Sequence, residues 1–449
     1  MLKDLPIIAI ATAHGSAGVG VIRISGKELL PLMLNLFKKE LKERIVHYLN
    51  LTDIDQEIID KAIVIFFKSP RSFTGEDVLE IQCHGGMVVQ HQIIDTCILK
   101  GKDIGLRLAN PGEFTRRAFL NGKIDLIQAE AISDLINSSS IAAARSAIKT
   151  LSGSLSSIIN DISSEIINLR VLIEANLDFP EEDISNLQKK EIIISLESIK
   201  IKLIKLVSKV SDSLILKNGI NIVLAGQPNV GKSSLLNALS EEEIAIVTPL
   251  AGTTRDKVSS AIYIKGILVN IIDTAGIRNS NNIIEKKGIE KSWEAIKNAD
   301  IVLHVIDSNK RDEDTELYIS KKIPEHTHII KIYNKSDIID KKNGNYCDGI
   351  LVSSKNGNGL DLIKKRNTKK ITSSSSNEDS FSTRERHYYA IKEALEHIEV
   401  AMSYTQENFL LDILAEELRL SHIELCNITG QFTSEDMLEK IFSSFCIGK

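Results

Sequence analysis

The sequence predicts a multidomain α/β plus α protein: a doubly wound P-loop domain inserted into a helical domain, with an α+β domain in front. Three observations carry this. Short strand-like runs fill residues 1–120, strand alternates with helix from Ile220, and long helical periodicities flank that alternation on both sides.

In the first block, residues 1–120, strand-like runs at Val19 to Ile24, Ala62 to Phe67 and Val78 to Cys83 mix with turns and a helix-like stretch near Gln90 to Leu99. From about Ile124 the pattern turns helical, and residues 121–216 form the next block. There Ile158, Ile159, Ile162, Ile166 and Leu169 recur at helical spacing and so define one apolar face. In residues 217–380 the strands read IVLAG, LVNIID, IVLHVID and IIKIYN, each ending where a binding loop begins. Ligands of a doubly wound parallel sheet lie at those carboxyl ends. Residues 366–384 are polar and serine-rich and read as a linker or poorly ordered segment. In the last block, 381–449, Leu411, Leu414, Ala415 and Leu418 make one stripe. Leu438, Ile441, Phe442 and Phe445 make another, after a cap at Thr433 with Asp436 three residues on. Neither helical block supplies its own partner, so the two are expected to pack together.

Composition sets limits. A chain of 449 residues has room for about three domains. A net charge of −5 argues against a surface coated in basic charge, so any RNA contact needs a local basic patch or a partner. The five cysteines are scattered, with neither disulfide nor zinc spacing. No apolar run approaches the ~18 residues of a membrane span. The opening MLKDLPIIAIATAHGSAG has an early Asp4 and no arginine, which does not fit a leader peptide. The expectation is a cytoplasmic protein without a membrane anchor.

The chemistry concentrates in one ordered series. Gly226-Gln227-Pro228-Asn229-Val230-Gly231-Lys232-Ser233 fits the P-loop pattern between a strand and a helix, with Ser234 following. Backbone amides of such a loop cradle phosphate at a helix N-terminus. Lys232 is expected to reach the β- and γ-phosphates and Ser233 to ligate Mg²⁺. Asp273-Thr274-Ala275-Gly276 closes a later strand, placing Asp273 toward the metal and Gly276 toward the γ-phosphate. Between them, Gly252-Thr253-Thr254 offers Thr254 as a second Mg²⁺ ligand. Asn334-Lys335-Ser336-Asp337 follows another strand, and Ser353-Ser354-Lys355 completes the base pocket. The Asp337 carboxylate can accept two donors that guanine presents together and adenine does not. The series reads as a GTP site with Lys232 and Thr254 in catalytic roles.

GVGVIRISG (18–26), FTGEDVLEIQCHGG (73–86), NPGEFTRRAFLNGKIDLIQAEAI (110–132) and FCIGK (445–449) resemble the bacterial tRNA-modification GTPases of the MnmE (TrmE) family, through nearly the whole chain. The resemblance implies a folate-binding, homodimerising N-terminal domain and a flavoprotein partner of the MnmG type that brings FAD, in a heterotetramer. Together they place an aminomethyl or carboxymethylaminomethyl group on carbon 5 of the wobble uridine of certain tRNAs. It also implies a potassium ion in place of an arginine finger, held by Asn229, Thr248, Leu250 and Thr253 in the loop Thr248-Pro249-Leu250-Ala251-Gly252-Thr253. Glu285 aligns with the acid that positions water. This fits Ile277, which stands where Ras-like GTPases place a water-orienting glutamine. A formyl-tetrahydrofolate or related one-carbon folate would be held by Arg23, Glu80, Lys123 and Lys449. Their chemistry suits it, a carboxylate for pterin N–H groups and cations for an anionic tail.

Some alternatives stay open. Cys446 is either a nucleophile toward the uridine ring or a thiol packed beside Phe445. Cys83-His84 looks metal-like but lacks further ligands, and reads as a structural pair flanking a turn. A ribosome-assembly GTPase is the competing function, though no GxxG loop with basic flanks marks an RNA-binding module. A nucleotide-binding dimer without hydrolysis is a third reading, disfavoured by Lys232, Ser233, Thr254, Asp273 and Glu285. One departure from the family is the helix beginning Gly359-Leu360-Asp361-Leu362-Ile363, whose apolar face is soon lost in KKRNTKKITSSSS.

Overall fold

The computed structural model describes residues 5–13, 15–138, 141–178, 186–218, 220–241, 259–264, 267–273, 292–297, 299–309, 313–324, 327–338, 349–363, 381–407 and 409–431, with 441, 445 and 448. The chain divides into two compact units: residues 1–136, 150–200 and 393–449, and residues 137–149 and 201–392.

The first unit begins with β1 (Ile7–Ile10), β2 (Ala17–Gly26), α1 (Leu30–Phe37), β3 (Val46–Thr52), β4 (Ile58–Phe67), β5 (Asp77–Gly85), α2 (Met87–Lys100), β6 (Arg107–Leu108) and α3 (Glu113–Leu120). The strands form one sheet in the order β3-β4-β5-β2-β1-β6. Alternation explains its two faces. In β4, Ala62, Val64 and Phe66 point into a core shared with Leu32 and Met33 of α1 and Ile93 and Cys97 of α2. The intervening Ile63 and Ile65 fall on the opposite face, in register with Tyr48 and Val46 of β3 and Gln82 and Glu80 of β5. That second face leaves Val46, Tyr48 and Ile63 exposed. Helices α4 (Leu126–Ile136), α5 (Ile141–Leu151), α6 (Ser154–Asp178) and α7 (Asn186–Asn218) follow along the chain, with residues 137–149 and 201–218 belonging to the second unit.

The second unit is built on β7 (Ile220–Ala225), α8 (Lys232–Glu241), β8 (Ser259–Ile264), β9 (Ile267–Asp273), α9 (292–297), β10 (Ile301–Asp307), α10 (Glu313–Lys322), β11 (His328–Asn334), β12 (Gly349–Leu351) and the short α11 (360–363). The sheet order is β12-β11-β10-β7-β9-β8, parallel except for β8. Strand β7 is apolar without alternation because both of its faces are covered. Ile222 and Leu224 pack with Leu235 and Leu239 of α8, while Val223 and Ala225 pack with Ile296 of α9 and Ile319 of α10. Strand order reverses at β7, so the loop leaving it opens at a topological switch point.

The expected linker over 366–384 needs correction at its end. Phe381, Ser382 and Thr383 are buried. The Phe381 amide donates to Ser213 Oγ at 3.0 Å and the Thr383 hydroxyl to the Val210 carbonyl at 3.4 Å, both on α7. Serine-rich composition reads as solvated, but here the polar groups find partners on a helix. Residues 364–380 lie outside the described residues.

The last helices are α12 (Glu385–Glu407) and α13 (Leu411–Thr429). Within the first unit, the stripe Ile159, Ile162, Ile166 and Leu169 of α6 is buried, and α6 packs on α13, whose Leu414, Leu418 and Leu425 are buried too. Each such side chain contributes about 1.5–3 kcal/mol by leaving water. Lys200 of α7 pairs with Glu399 of α12 at 2.8 Å, and Ser421 of α13 donates to the Ala394 carbonyl of α12 at 2.9 Å. Segments on either side of the P-loop domain in sequence therefore pack together. The Thr433 cap, Leu438 and Phe442 fall outside the described residues, but Phe445 is buried against Leu126 and Ala129 of α4. Among the described residues, no helix is long and apolar enough to cross a membrane.

Candidate functional site

The P-loop runs from the end of β7 into α8. Asn229 takes a left-handed backbone with φ 64° and is exposed at the tip. Gly231 has φ 91°, and a Cβ there would lie 2.4 Å from Asn334 Nδ2, so no side chain fits. Val230 is buried in the sheet core, and Ser233 and Ser234 are exposed on the first turn of α8. Lys232 is buried and curls back over its own loop, its ammonium donating to the carbonyls of Gln227 at 2.9 Å and Gly226 at 3.3 Å. An ammonium held at the mouth of a ring of amides is suited to phosphate oxygens.

Asn334 is where three loops meet. Fully buried at the end of β11, its amide donates to the Val230 carbonyl at 3.0 Å, and its oxygen accepts from the Ser354 amide at 3.1 Å. Its side chain thus fastens the P-loop to the base-pocket loops. Lys335, at φ 65°, pairs with Asp307 of β10 at 2.6 Å. Sequence reasoning did not single out Asp307; its one signal was its place at the end of the IVLHVID strand. Asp337 is exposed, and one of its oxygens accepts from the hydroxyl of fully buried Ser353 at 2.7 Å. That hydroxyl, helped by the aspartate's own amide and by Lys355 and Lys335, holds the carboxyl below its usual range. Ser353 therefore orients the acid that the sequence assigns to guanine.

Behind the P-loop strand, His304 of β10 pairs in register with Ala225. It is buried and its Nδ1 has no hydrogen-bond partner. Burial, with the Lys331 charge beside it, pushes the imidazole down to about 4.

The open face of the first sheet brings together three of the residues expected for folate. Arg23 of β2 stands in register with Glu80 of β5, and its Nε and Nη2 donate to one carboxylate oxygen at 3.0 and 2.7 Å. The same guanidinium lies 5.8 Å from the centroid of the Phe73 ring. Lys123 donates to the Pro70 carbonyl at 3.0 Å. The loop 70–73 thus joins Lys123 to the Arg23–Glu80 pair, and sequence reasoning had not singled out Pro70 or Phe73. This loop is anchored from below by polar groups: Ser25 meets Thr74 and Glu76, and Glu76 pairs with buried Arg117 at 2.8 Å. Gly448, at φ 94°, packs on the end of β1, where a Cβ would sit 2.1 Å from the Ile10 carbonyl. Ile10 adjoins Ala9, the register partner of Arg23, so Gly448 lies at the β1 end next to this pair.

Cys83 and His84 close the C-terminal end of β5, just before the Gly85–Gly86 connection to α2. Cys83 is buried, while exposed His84 bonds Asp60 through Nδ1 at 2.7 Å. Among the described residues no cluster of three ligating side chains exists. Thr248, Pro249, Leu250, Ala251, Gly252, Thr253, Thr254, Thr274, Ala275, Gly276, Glu285, Cys446 and Lys449 lie outside the described residues. Asp273 is described only as the last residue of β9.

A family model described as the TrmE N-terminus of GTP-binding proteins matches residues 6–123, and one described as the MnmE helical domain matches 126–446. The chain belongs to the MnmE family of tRNA modification GTPases. Similarity to its members is full-length. The tRNA modification GTPase MnmE of Bordetella parapertussis is 47% identical over 445 residues, covering 99% of both chains. The MnmE proteins of Bordetella avium and Dechloromonas aromatica are 46% and 45% identical over 450 and 456 residues, covering 100% of this chain and of each relative.

Proposed function

We propose that this tRNA modification GTPase is potassium-stimulated and works with a flavoprotein partner to build the wobble-uridine side chain. The observation that carries the nucleotide half is the Asn334 brace, which ties the P-loop to the loop that holds Asp337 ionised. One cation is Mg²⁺, with Ser233 and Thr254 as ligands and Asp273 reaching it through water. Ser233 on the exposed first turn of α8 fits that task. The other is K⁺, with the Asn229 side chain and Thr248, Leu250 and Thr253 around it. Asn229 suits this because its left-handed backbone leaves the side chain exposed at the loop tip. Bound there, the ions supply positive charge against developing phosphate charge. Glu285 orients the attacking water, a role Ile277 cannot fill.

Arg23, Glu80, Lys123 and Lys449 are the residues for a one-carbon folate. The donor set fits: Glu80 keeps a second carboxylate oxygen for pterin N–H groups while Arg23 holds the first. The exposed Val46, Tyr48 and Ile63 on the same sheet face favour a homodimer through this domain. Residues 1–120, 121–216, 217–380 and 381–449 then serve as folate, helical, GTPase and returning helical segments. Nucleoside analysis of tRNA from cells lacking the protein tests the reading. Loss of the C5 side chain on wobble uridine is expected, and its retention would sink the assignment.

A further inference from the structure

The first unit holds a second concave site, unrelated to the Arg23–Glu80 face. It lies where the ends of α1 and α2 meet edge strand β3, with a volume of about 260 Å³. Three lysines line it: Lys38 and Lys39 just past α1, and Lys100 at the end of α2. Asn50 and Gln56 add side-chain amides to the rim. We propose that this pocket binds phosphate groups of a polyanion, the tRNA backbone being the source this family's substrate suggests.

Among the described residues, no carboxylate lines the pocket and neither Lys38 nor Lys39 makes an ion pair. Lys100 spends one N–H on the Thr52 carbonyl at 2.7 Å. Asp53, the acid that acts on Lys100, already accepts from the amides of Asp55 and Glu57 through Oδ1. Helix dipoles favour one cation at each C-terminus. They do not account for three that converge on a concavity. Burial and the Lys38 charge both push the Lys100 ammonium below its usual range. Mutual repulsion of this kind is relieved by a bound anion. Lys38 also caps α1 with a left-handed backbone at φ 58°, where glycine is usual, and so retains a charged side chain at the rim. In a chain of net charge −5, such a local patch is what phosphate contact requires.

The test uses the full-length protein saturated with GDP and Mg²⁺, which keeps probes off the P-loop. Binding of a labelled tRNA is measured over a series of KCl concentrations for the wild type and for Lys38→Gln/Lys39→Gln. Each phosphate contact contributes about 0.7–0.9 to the slope of log affinity against log salt. The variant should lose roughly tenfold in affinity and about 1.5 in slope. Its GTPase rate and melting temperature should match the wild type. In parallel, amine acylation of Lys38, Lys39 and Lys100 is read by mass spectrometry with tRNA or with pyrophosphate added. Protection by tRNA supports the backbone source, and protection by pyrophosphate alone assigns the pocket to a free polyphosphate. If neither probe protects these lysines, the proposal is overturned. Wild-type tRNA binding that the variant leaves unchanged, with no pyrophosphate protection, also overturns it while leaving the tRNA-modification reading intact.

Discussion

Replacing His304 by leucine should remove most of the acid sensitivity of the P-loop sheet. The imidazole is held at about 4 in the fold against 6.5 for a free one. That difference favours the neutral ring by about 3 kcal/mol. Because the folded-state value is depressed, the unfolded chain takes up a proton between pH 6.5 and 4 that the folded chain refuses. Stability is therefore full above pH 6.5 and drains away as pH falls toward 4. Between pH 7 and pH 5 the loss amounts to about 2 kcal/mol. At a urea dependence of about 1–3 kcal/mol/M, the unfolding midpoint should drop by roughly 1 M. The assay is built into the molecule. Trp293 is the sole tryptophan and packs against the core formed by Val223, Ala225 and Val302, on the sheet face that His304 shares. Its fluorescence reports unfolding of this sheet. In His304→Leu the gap between the pH 7 and pH 5 midpoints should shrink by about that 1 M. An unchanged gap would show that His304 does not carry the proton linkage.

Three other expectations concern the sites. GTP turnover should be much faster in KCl than in NaCl, by up to the roughly 10³-fold or more that an arginine finger supplies; equal rates would remove potassium from Asn229. Asp337→Asn should weaken GTP binding roughly tenfold or more and shift preference toward xanthosine nucleotides, checked by competition with labelled nucleotide. Native GTP affinity in that variant contradicts the guanine-reading role. Glu80→Ala should weaken formyl-tetrahydrofolate binding and also release Arg23, so Glu80→Ala and Arg23→Ala should cost similar amounts in calorimetry. Losses that simply add in the double variant would count against the two acting as a pair.

What could be read in advance was what is local along the chain. The P-loop, its strand and its helix are contiguous, so β7 and α8 lie where the alternation placed them. The apolar face of α6 is a periodicity and needs no knowledge of its partner. What escaped was contact between distant residues. Nothing near Asn334 announces that its amide will be spent on Val230 and Ser354, and nothing near Lys335 points to Asp307. The same limit explains the misread linker: Ser382 and its neighbours look solvated until Val210 and Ser213 supply partners. His304 sat unnoticed in an apolar strand, where only burial makes a histidine a proton sensor.

The packing of Gly448 on Ile10 has a consequence for how the protein is made. Strand β1 is translated before Gly448, with all of the intervening chain between them. Domains fold from the N-terminus as synthesis proceeds. The N-terminal sheet can therefore form early, yet its β1 end stays uncovered until the late segment arrives. Any ligand that draws on both would bind only once Gly448 has been made. Nascent and truncated chains would carry the sheet without that capacity.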